Sequence, residues 1–132
     1  MADGIARAGF DMDLAHGEAR ESAFVQALTR CHVEHKCDND APSTGNVFVE
    51  FEQKGRPSGI ATTTADWWAI EVQGDTWIVV RTSVLRRAVE RVKGIGRVVM
   101  GGDHNLYRGA LVPVEWLYRG IPPITGAGRD AA

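Results

Sequence analysis

The sequence predicts a single small α/β domain, because helical and strand-like segments alternate along a chain that is long enough for only one core. Its 132 residues are too few for two ordinary domains. Hydrophobic residues make up 44% and charged residues 24% of the chain, as in globular proteins, and no apolar run approaches the ~18 residues of a membrane span. We therefore expect one domain over residues 1–119, no membrane partner, and a mobile tail over residues 120–132, where Pro, Gly and Ala are frequent.

The N-terminal half predicts a helix followed by two strands. Phe24, Val25 and Leu28 lie at helical spacing among strong helix formers, which indicates the helix. Alternation of period two indicates each strand, and Asn, Asp, Pro, Ser, Thr and Gly between the strands are typical of a turn. The expected bounds are 13–30 for the helix, 31–38 and 47–54 for the strands, and 39–46 for the turn.

The C-terminal half predicts a β-hairpin and a second long helix. Gly74 and Asp75 form the hairpin turn, and Thr82 and Ser83 stand where N-caps of the helix are expected. Apolar residues at helical spacing define that helix, from Val84 to Val92. The other expected elements are a short helix or turn over 62–68, strands over 68–72, 76–81 and 97–100, and a segment over 110–114 that ends against Pro113.

Carboxylates and one lysine cluster on the first two predicted strands. If these strands pair as a hairpin-like unit, alternation places Glu34, Lys36 and Asp38 on the same face as Glu50 and Glu52. Carboxylates packed so closely repel one another unless a cation neutralises them, and Mg²⁺ or Mn²⁺ prefers oxygen ligands. A nearby lysine can position attacking water or stabilise charge that develops on a phosphate. The alternative is a solvated edge strand whose charges protect against aggregation.

Five short segments together form one pattern along the chain: residues 17–21, 33–38, 44–50, 57–60 and 65–68. In this order the segments resemble small phage-type proteins of the PD-(D/E)xK nuclease superfamily, and the resemblance covers residues 11–113. It implies a restriction-endonuclease-like core, with a central mixed β-sheet flanked by helices. In that superfamily a helix-borne Glu, an Asp or Glu on a strand, and a Glu-x-Lys pair bind a metal and cut phosphodiester bonds.

The resemblance also implies site residues. Glu21 matches the helix acid, and Glu34-x-Lys36 matches the Glu-x-Lys pair. The strand that should carry an Asp before this pair is missing, so Glu50 or Asp38 supplies that ligand, or the pair is Glu50-x-Glu52 with Asp38 ahead of it. The expected catalytic residues are Glu34, Lys36 and Glu50. The expected ligands of Mg²⁺, with Mn²⁺ as a substitute, are Glu21, Glu34, Asp38 and Glu50.

The function implied is a metal-dependent DNA endonuclease or resolvase-like enzyme. The alternative is a nucleic-acid-binding accessory protein on an inactive nuclease fold. A net charge of −2 argues against coating DNA by bulk charge, but it leaves room for a local basic groove. The candidate phosphate contacts are Lys54, Arg56, Arg81 and Arg86. A homodimer is a further expectation, because nucleases that cut both strands are commonly symmetric dimers.

Three further expectations concern the cellular location, a zinc site and the stacking of tryptophans on bases. The N-terminus shows no secretory signal, so the cytoplasm is expected, that of a bacterial host if the protein is phage-derived. Four residues of the kinds that bind zinc occur close together: Cys31, His32, His35 and Cys37. Strand alternation, however, places His32 on the face opposite the other three. The two thiols are too far apart along one strand to bridge. Of three tryptophans that could stack on bases, we expect two in the core: the set is Trp67, Trp68 and Trp77.

Overall fold

The computed structural model describes residues 3–124, with side chains from residue 12 onwards. The chain divides into one unit up to His32 and another from Val33 onwards. The first unit contains helix α1, Asp3–Arg30, which begins ten residues before the expected helix. The apolar residues that indicated this helix, Phe24, Val25 and Leu28, are each about half exposed. Within the described residues, no helix combines the length and the apolar character that a membrane span requires.

The second unit alternates strands with helices over its described residues. Most of the expected elements are present, within a few residues of the expected bounds. In chain order the elements are β1 (Val33–Cys37), α2 (Ala41–Thr44), β2 (Asn46–Gln53), β3 (Arg56–Pro57), β4 (Trp67–Gln73), β5 (Thr76–Arg81), α3 (Thr82–Gly94), β6 (Val98–Gly101), β7 (Tyr107–Pro113) and α4 (Val114–Arg119). Short 3₁₀ turns at Gly59–Ala61 and Asp103–Asn105 complete the set.

The strands described in this unit form two sheets. The first has the order β1-β4-β5 and is mixed, because β1 runs parallel to β4 while β4 runs antiparallel to β5. The second has the order β3-β2-β7-β6 and is antiparallel throughout. The α/β class is therefore confirmed, with a mixed and an antiparallel sheet flanked by helices in place of the one central mixed sheet that was expected.

The expected pairing of the first two strands is wrong. β1 pairs in parallel with β4, so that Val33 lies opposite Trp67, and β2 pairs with β3 and β7. The connection between β1 and β2 contains a turn of helix, α2, which ends at Gly45 in the left-handed conformation (φ 70°). A helical turn replaces the hairpin loop that would have placed the two strands side by side.

Both sheets share one core with α3. Leu85, Ala88, Val89 and Val92 are buried at the spacing of one helix face. The core contains Ala41, Val47, Val49, Phe51, Ile60, Trp68, Ile70, Val80, Leu85, Ala88, Val89, Val92, Ala110 and Val112. Of the three tryptophans only Trp68 belongs to this set, at 2% exposure, whereas Trp67 is half-buried and Trp77 is 46% exposed.

The start of α3 differs from the capping expected. Arg81 occupies the N-cap position without a side-chain hydrogen bond, and Thr82 is a buried residue of the first turn. The Thr82 hydroxyl donates a 2.6 Å hydrogen bond to the carbonyl of Ala65. Its side chain therefore ties α3 to the segment before β4. A short helix or turn was expected over 62–68, but no helix lies there, because the 3₁₀ turn ends at Ala61 and β4 already begins at Trp67.

Candidate active site

Asp38 follows β1 directly, and its carboxylate joins β1 to α2 and β2. Oδ1 accepts hydrogen bonds of 3.1 Å from the amides of Asp40 and Ala41, at the start of α2. Oδ2 accepts a 2.7 Å hydrogen bond from the amide of Phe48 in β2. An ionised carboxylate offers about four lone-pair sites, so these three bonds leave room for a further partner such as a cation.

Glu50 lies in the middle of β2, on the face opposite the buried residues Val49 and Phe51. Its Oε1 accepts a 2.5 Å hydrogen bond from the hydroxyl of Ser58. Oε2 accepts no hydrogen bond from the residues that the structure describes. One oxygen of Glu50 is thus fixed by the protein, and the other is available.

The loop after β3 packs closely against Glu50. The amide of Ser58 donates a 3.0 Å hydrogen bond to the carbonyl of Phe51. Gly59 has a positive φ of 54°, and a Cβ at this position would overlap the carbonyl oxygen of Glu50. Glycine is required here both for the backbone conformation and for the close approach. The sequence pattern contained Ser58 and Gly59, but it gave neither residue a role.

A β-bulge adjoins Glu50. The pairing of β2 with β7 shifts in register between Glu50, opposite Gly109, and Glu52, opposite Arg108. Glu50 and Glu52 were expected to share one face of a regular strand, but the bulge interrupts the regular alternation between them. Lys54 lies beyond the strand, in the two-residue turn between β2 and β3.

The Asp38 carboxylate contacts the stretch of β2 that carries Glu50. Phe48 and Glu50 are alternate residues, so their side chains share a face and their Cα atoms are about 7 Å apart. At Phe48 the amide donates to Asp38 and not to β7. At Glu50 the carbonyl oxygen is approached by Gly59. The Asp38 carboxylate and the loop at Gly59 therefore both contact the backbone of this stretch of β2.

Glu34 and Lys36 form a separate pair on β1. Their register partners on β4 are Trp68 and Ile70, which are buried, so both charged side chains point to the core side of the first sheet. Lys36 Nζ lies 3.0 Å from Glu34 Oε1 and 5.6 Å from the centre of the Trp68 ring. Among the described contacts, no hydrogen bond or ion pair joins this pair to Asp38 or Glu50.

The expected set of metal ligands stays a prediction. Among the described residues no three His, Cys, Asp or Glu side chains form a group that could hold a metal ion. The described residues include no zinc-binding group of this size, and the thiols of Cys31 and Cys37 are free and exposed. Glu21 lies on α1, in the other unit, so its expected place beside Glu34 and Glu50 stays a prediction.

The four expected phosphate contacts have different surroundings. Lys54 and Arg56 line an open cleft of about 580 Å³ together with Ser58. The guanidinium of Arg81 lies 4.5 Å from the centre of the Trp67 ring.

Arg86 is anchored within the protein. It donates 3.2 and 2.8 Å hydrogen bonds to the carbonyls of Ile60 and Thr63. Arg86 therefore fixes the loop that follows Gly59, and two of its three guanidinium nitrogens are occupied in doing so.

Comparison of the chain with protein-family models, curated proteins and solved structures found no match. A resemblance to PD-(D/E)xK nucleases stays a prediction from the sequence segments described above. The geometry around Asp38 and Glu50 is independent of that similarity.

Proposed function

We propose that this chain is a Mg²⁺-dependent DNA endonuclease in which Asp38 and Glu50 hold the metal. The observation that carries the proposal is the 2.7 Å hydrogen bond from the Phe48 amide to Asp38. This bond fixes Asp38 to the strand that carries Glu50, two residues further on. It favours the motif that begins at Asp38 and continues as Glu50-x-Glu52, one of the two alternatives that the sequence left open.

The oxygen donors of Asp38 and Glu50 are of the kind that Mg²⁺ prefers. Mg²⁺ is usually bound by one or two carboxylates, with waters and substrate phosphate oxygens completing its octahedral shell. Glu50 offers a free Oε2, and Asp38 retains a lone pair beyond its three amide donors. Two protein ligands are thus compatible with the lack of a group of three among the described residues. When bound, Mg²⁺ would supply positive charge that polarises the phosphodiester group.

The residues around the two carboxylates hold them in place. Three backbone amides orient Asp38, and the Ser58 hydroxyl orients Glu50. Gly59 allows the loop that carries Ser58 to contact the backbone of Glu50. Ligands whose positions are fixed before substrate arrives lose little freedom on binding, which is what a catalytic site requires.

The proposal extends to the fold and assembly. A restriction-endonuclease-like core is supported by the order of helix acid, Glu-x-Lys pair, Thr-Gly-Asn turn and acidic strand along the chain. DNA as partner follows from the proposed activity. A homodimer would allow both strands to be cut, and light scattering of the purified protein tests it.

The alternative function is a DNA-binding accessory protein without cleavage. A nuclease and an accessory protein differ in their response to divalent cations. We propose to incubate the protein with linear, nicked, branched and single-stranded DNA in Mg²⁺, Mn²⁺ or chelator. The nuclease account expects cleavage of at least one of these substrates with either cation and none with chelator. Binding without cleavage under all conditions would support the accessory protein.

A further inference from the structure

Two open clefts of the second unit meet at Pro57, the residue that precedes Ser58. The first cleft has a volume of about 590 Å³ and lies between α3, the 3₁₀ turn at Gly59–Ala61 and the second sheet. The second, of about 580 Å³, surrounds the turn between β2 and β3. Pro57 lines both clefts, so they adjoin each other.

The two clefts are basic, although the chain as a whole is acidic. The cationic side chains that line them are Arg86, Lys93 and Arg108 in the first and Lys54 and Arg56 in the second. The carboxylates in their lining are Glu52 and Glu90, so five positive charges less two negative charges leave +3. The whole chain has a net charge of −2. Positive charge is therefore concentrated here, and it attracts a polyanion.

Two of these cations are positioned by an aromatic ring. Lys93 Nζ lies 4.8 Å and the Arg108 guanidinium 5.9 Å from the centre of the Phe51 ring. Each also has a carboxylate neighbour, Glu90 at 3.2 Å for Lys93 and Glu52 at 3.9 Å for Arg108. Exposed ion pairs of this kind contribute little, so phosphate oxygens can replace the carboxylates while the ring contacts remain.

We propose that the two clefts form one groove that binds the phosphate backbone of duplex DNA, with Lys93 and Arg108 as contacts. This inference rests on the proposed nuclease function and names the surface that receives its substrate. The groove extends to Ser58, which follows Pro57, lines the second cleft and hydrogen-bonds the Glu50 carboxylate. Arg86 contributes charge and, through its bonds to Ile60 and Thr63, maintains one wall.

A duplex is favoured over a single strand by the aromatic content of the groove. Single-strand binders stack bases on aromatic side chains. Phe51 is the aromatic residue in the lining of these two clefts, and it is only 8% exposed beneath its cations. Charge without an accessible stacking surface suits contact with the backbone of a duplex.

The test is duplex binding without cleavage. Anisotropy of a labelled duplex of roughly 25 base pairs, in chelator and over a range of salt concentrations, gives the affinity and its salt dependence. Lys93→Gln combined with Arg108→Gln should weaken binding roughly tenfold or more. It should also reduce the slope of log affinity against log salt by about 2, since each lost phosphate contact removes about 0.9.

Arg119 provides a matched control for Arg108. Both guanidinium groups lie 5.9 Å from an aromatic ring and beside a glutamate, but Arg119 is on α4 and outside the groove. Arg119→Gln should bind as the parent does, whereas Arg108→Gln should bind more weakly. The charge-conserving change of Lys93→Arg with Arg108→Lys should retain most of the affinity, which separates charge from folding.

The outcomes distinguish the groove from the nuclease activity. Equal affinities and salt slopes for the parent and the Lys93→Gln, Arg108→Gln protein would overturn the groove, as would a parent that does not bind duplex DNA at low salt. Tighter binding of a single strand than of the duplex would also overturn it. Duplex binding that depends on Lys93 and Arg108, but without cleavage in Mg²⁺ or Mn²⁺, would support the groove and contradict the proposed nuclease.

Discussion

The amide of Phe48 donates its hydrogen bond to the side chain of Asp38 and not to a neighbouring strand. This contact takes the place of strand pairing between β1 and β2. The same carboxylate accepts from the amides of Asp40 and Ala41, so one side chain organises the connection between the strands. Asp38 is therefore expected to contribute both to stability and to the proposed metal site.

Asp38→Ala should lower the free energy of unfolding by about 2–3 kcal/mol, because hydrogen bonds to a charged group contribute more than neutral ones. Denaturation in urea measures the change. Asp40→Ala is the control, since its side chain makes no capping hydrogen bond and is exposed, and a change within about 0.5 kcal/mol is expected there. Equal effects of the two substitutions would contradict the role given to Asp38.

Gly59→Ala should destabilise the protein more than Gly55→Ala. Both glycines have positive φ, 54° and 78°, so each alanine incurs a backbone cost of about 1–2 kcal/mol. Only at Gly59 would the new Cβ overlap another group, the Glu50 carbonyl, which adds about 1–3 kcal/mol as overpacking does. Thermal denaturation of the two variants measures the difference. Equal melting temperatures would mean that the loop does not press against Glu50.

Mg²⁺ should raise the melting temperature of the parent protein. A cation at roughly ten times its dissociation constant adds about 1.4 kcal/mol by mass action, or about 5–7 °C for a domain of this size. Glu50→Gln keeps an oxygen for Ser58 but loses the charge, and its melting temperature should not respond. Scanning calorimetry at 10 mM Mg²⁺, against a monovalent salt of equal ionic strength, tests this. Equal shifts in parent and variant would place any cation elsewhere.

Lys36→Met separates the two alternatives for the motif. The lysine stem near Trp68 is retained in volume by Met, so the fold should survive. If Asp38 and Glu50 form the site, cleavage by this variant should stay within a few-fold of the parent rate. A loss of roughly a hundredfold would instead restore Glu34-x-Lys36 as the catalytic pair. Single-turnover rates at saturating Mg²⁺ provide the comparison.

Local patterns in the sequence predicted most elements of the second unit. Alternation gave β2, the Gly74–Asp75 turn predicted the hairpin of β4 and β5, and helical spacing gave α3. These features depend on neighbouring residues. The partner of β1 is a non-local property, and alternation assigns a strand its faces but not its neighbour.

The groups that hold the two carboxylates of the candidate site in place were harder to predict from the sequence. The carboxylates of Asp38 and Glu50 were named from the sequence. The roles of the Phe48 amide, the Ser58 hydroxyl and Gly59 depend on contacts between separate segments of the backbone. Helix α4 was not expected, because its six residues are too few to show a helical period.

The central claim is that Glu50 takes part in metal-dependent cleavage of DNA. The most direct measurement is the single-turnover cleavage rate of the parent and of Glu50→Gln on the same DNA, in Mg²⁺ and in chelator. Gln keeps the size of the side chain and an oxygen for the Ser58 hydroxyl, so the fold should be unchanged. We expect cleavage by the parent only with Mg²⁺, and a rate lower by roughly a hundredfold or more for Glu50→Gln. A folded Glu50→Gln protein that cleaves as fast as the parent, or a parent that cleaves equally well in chelator, would contradict the claim.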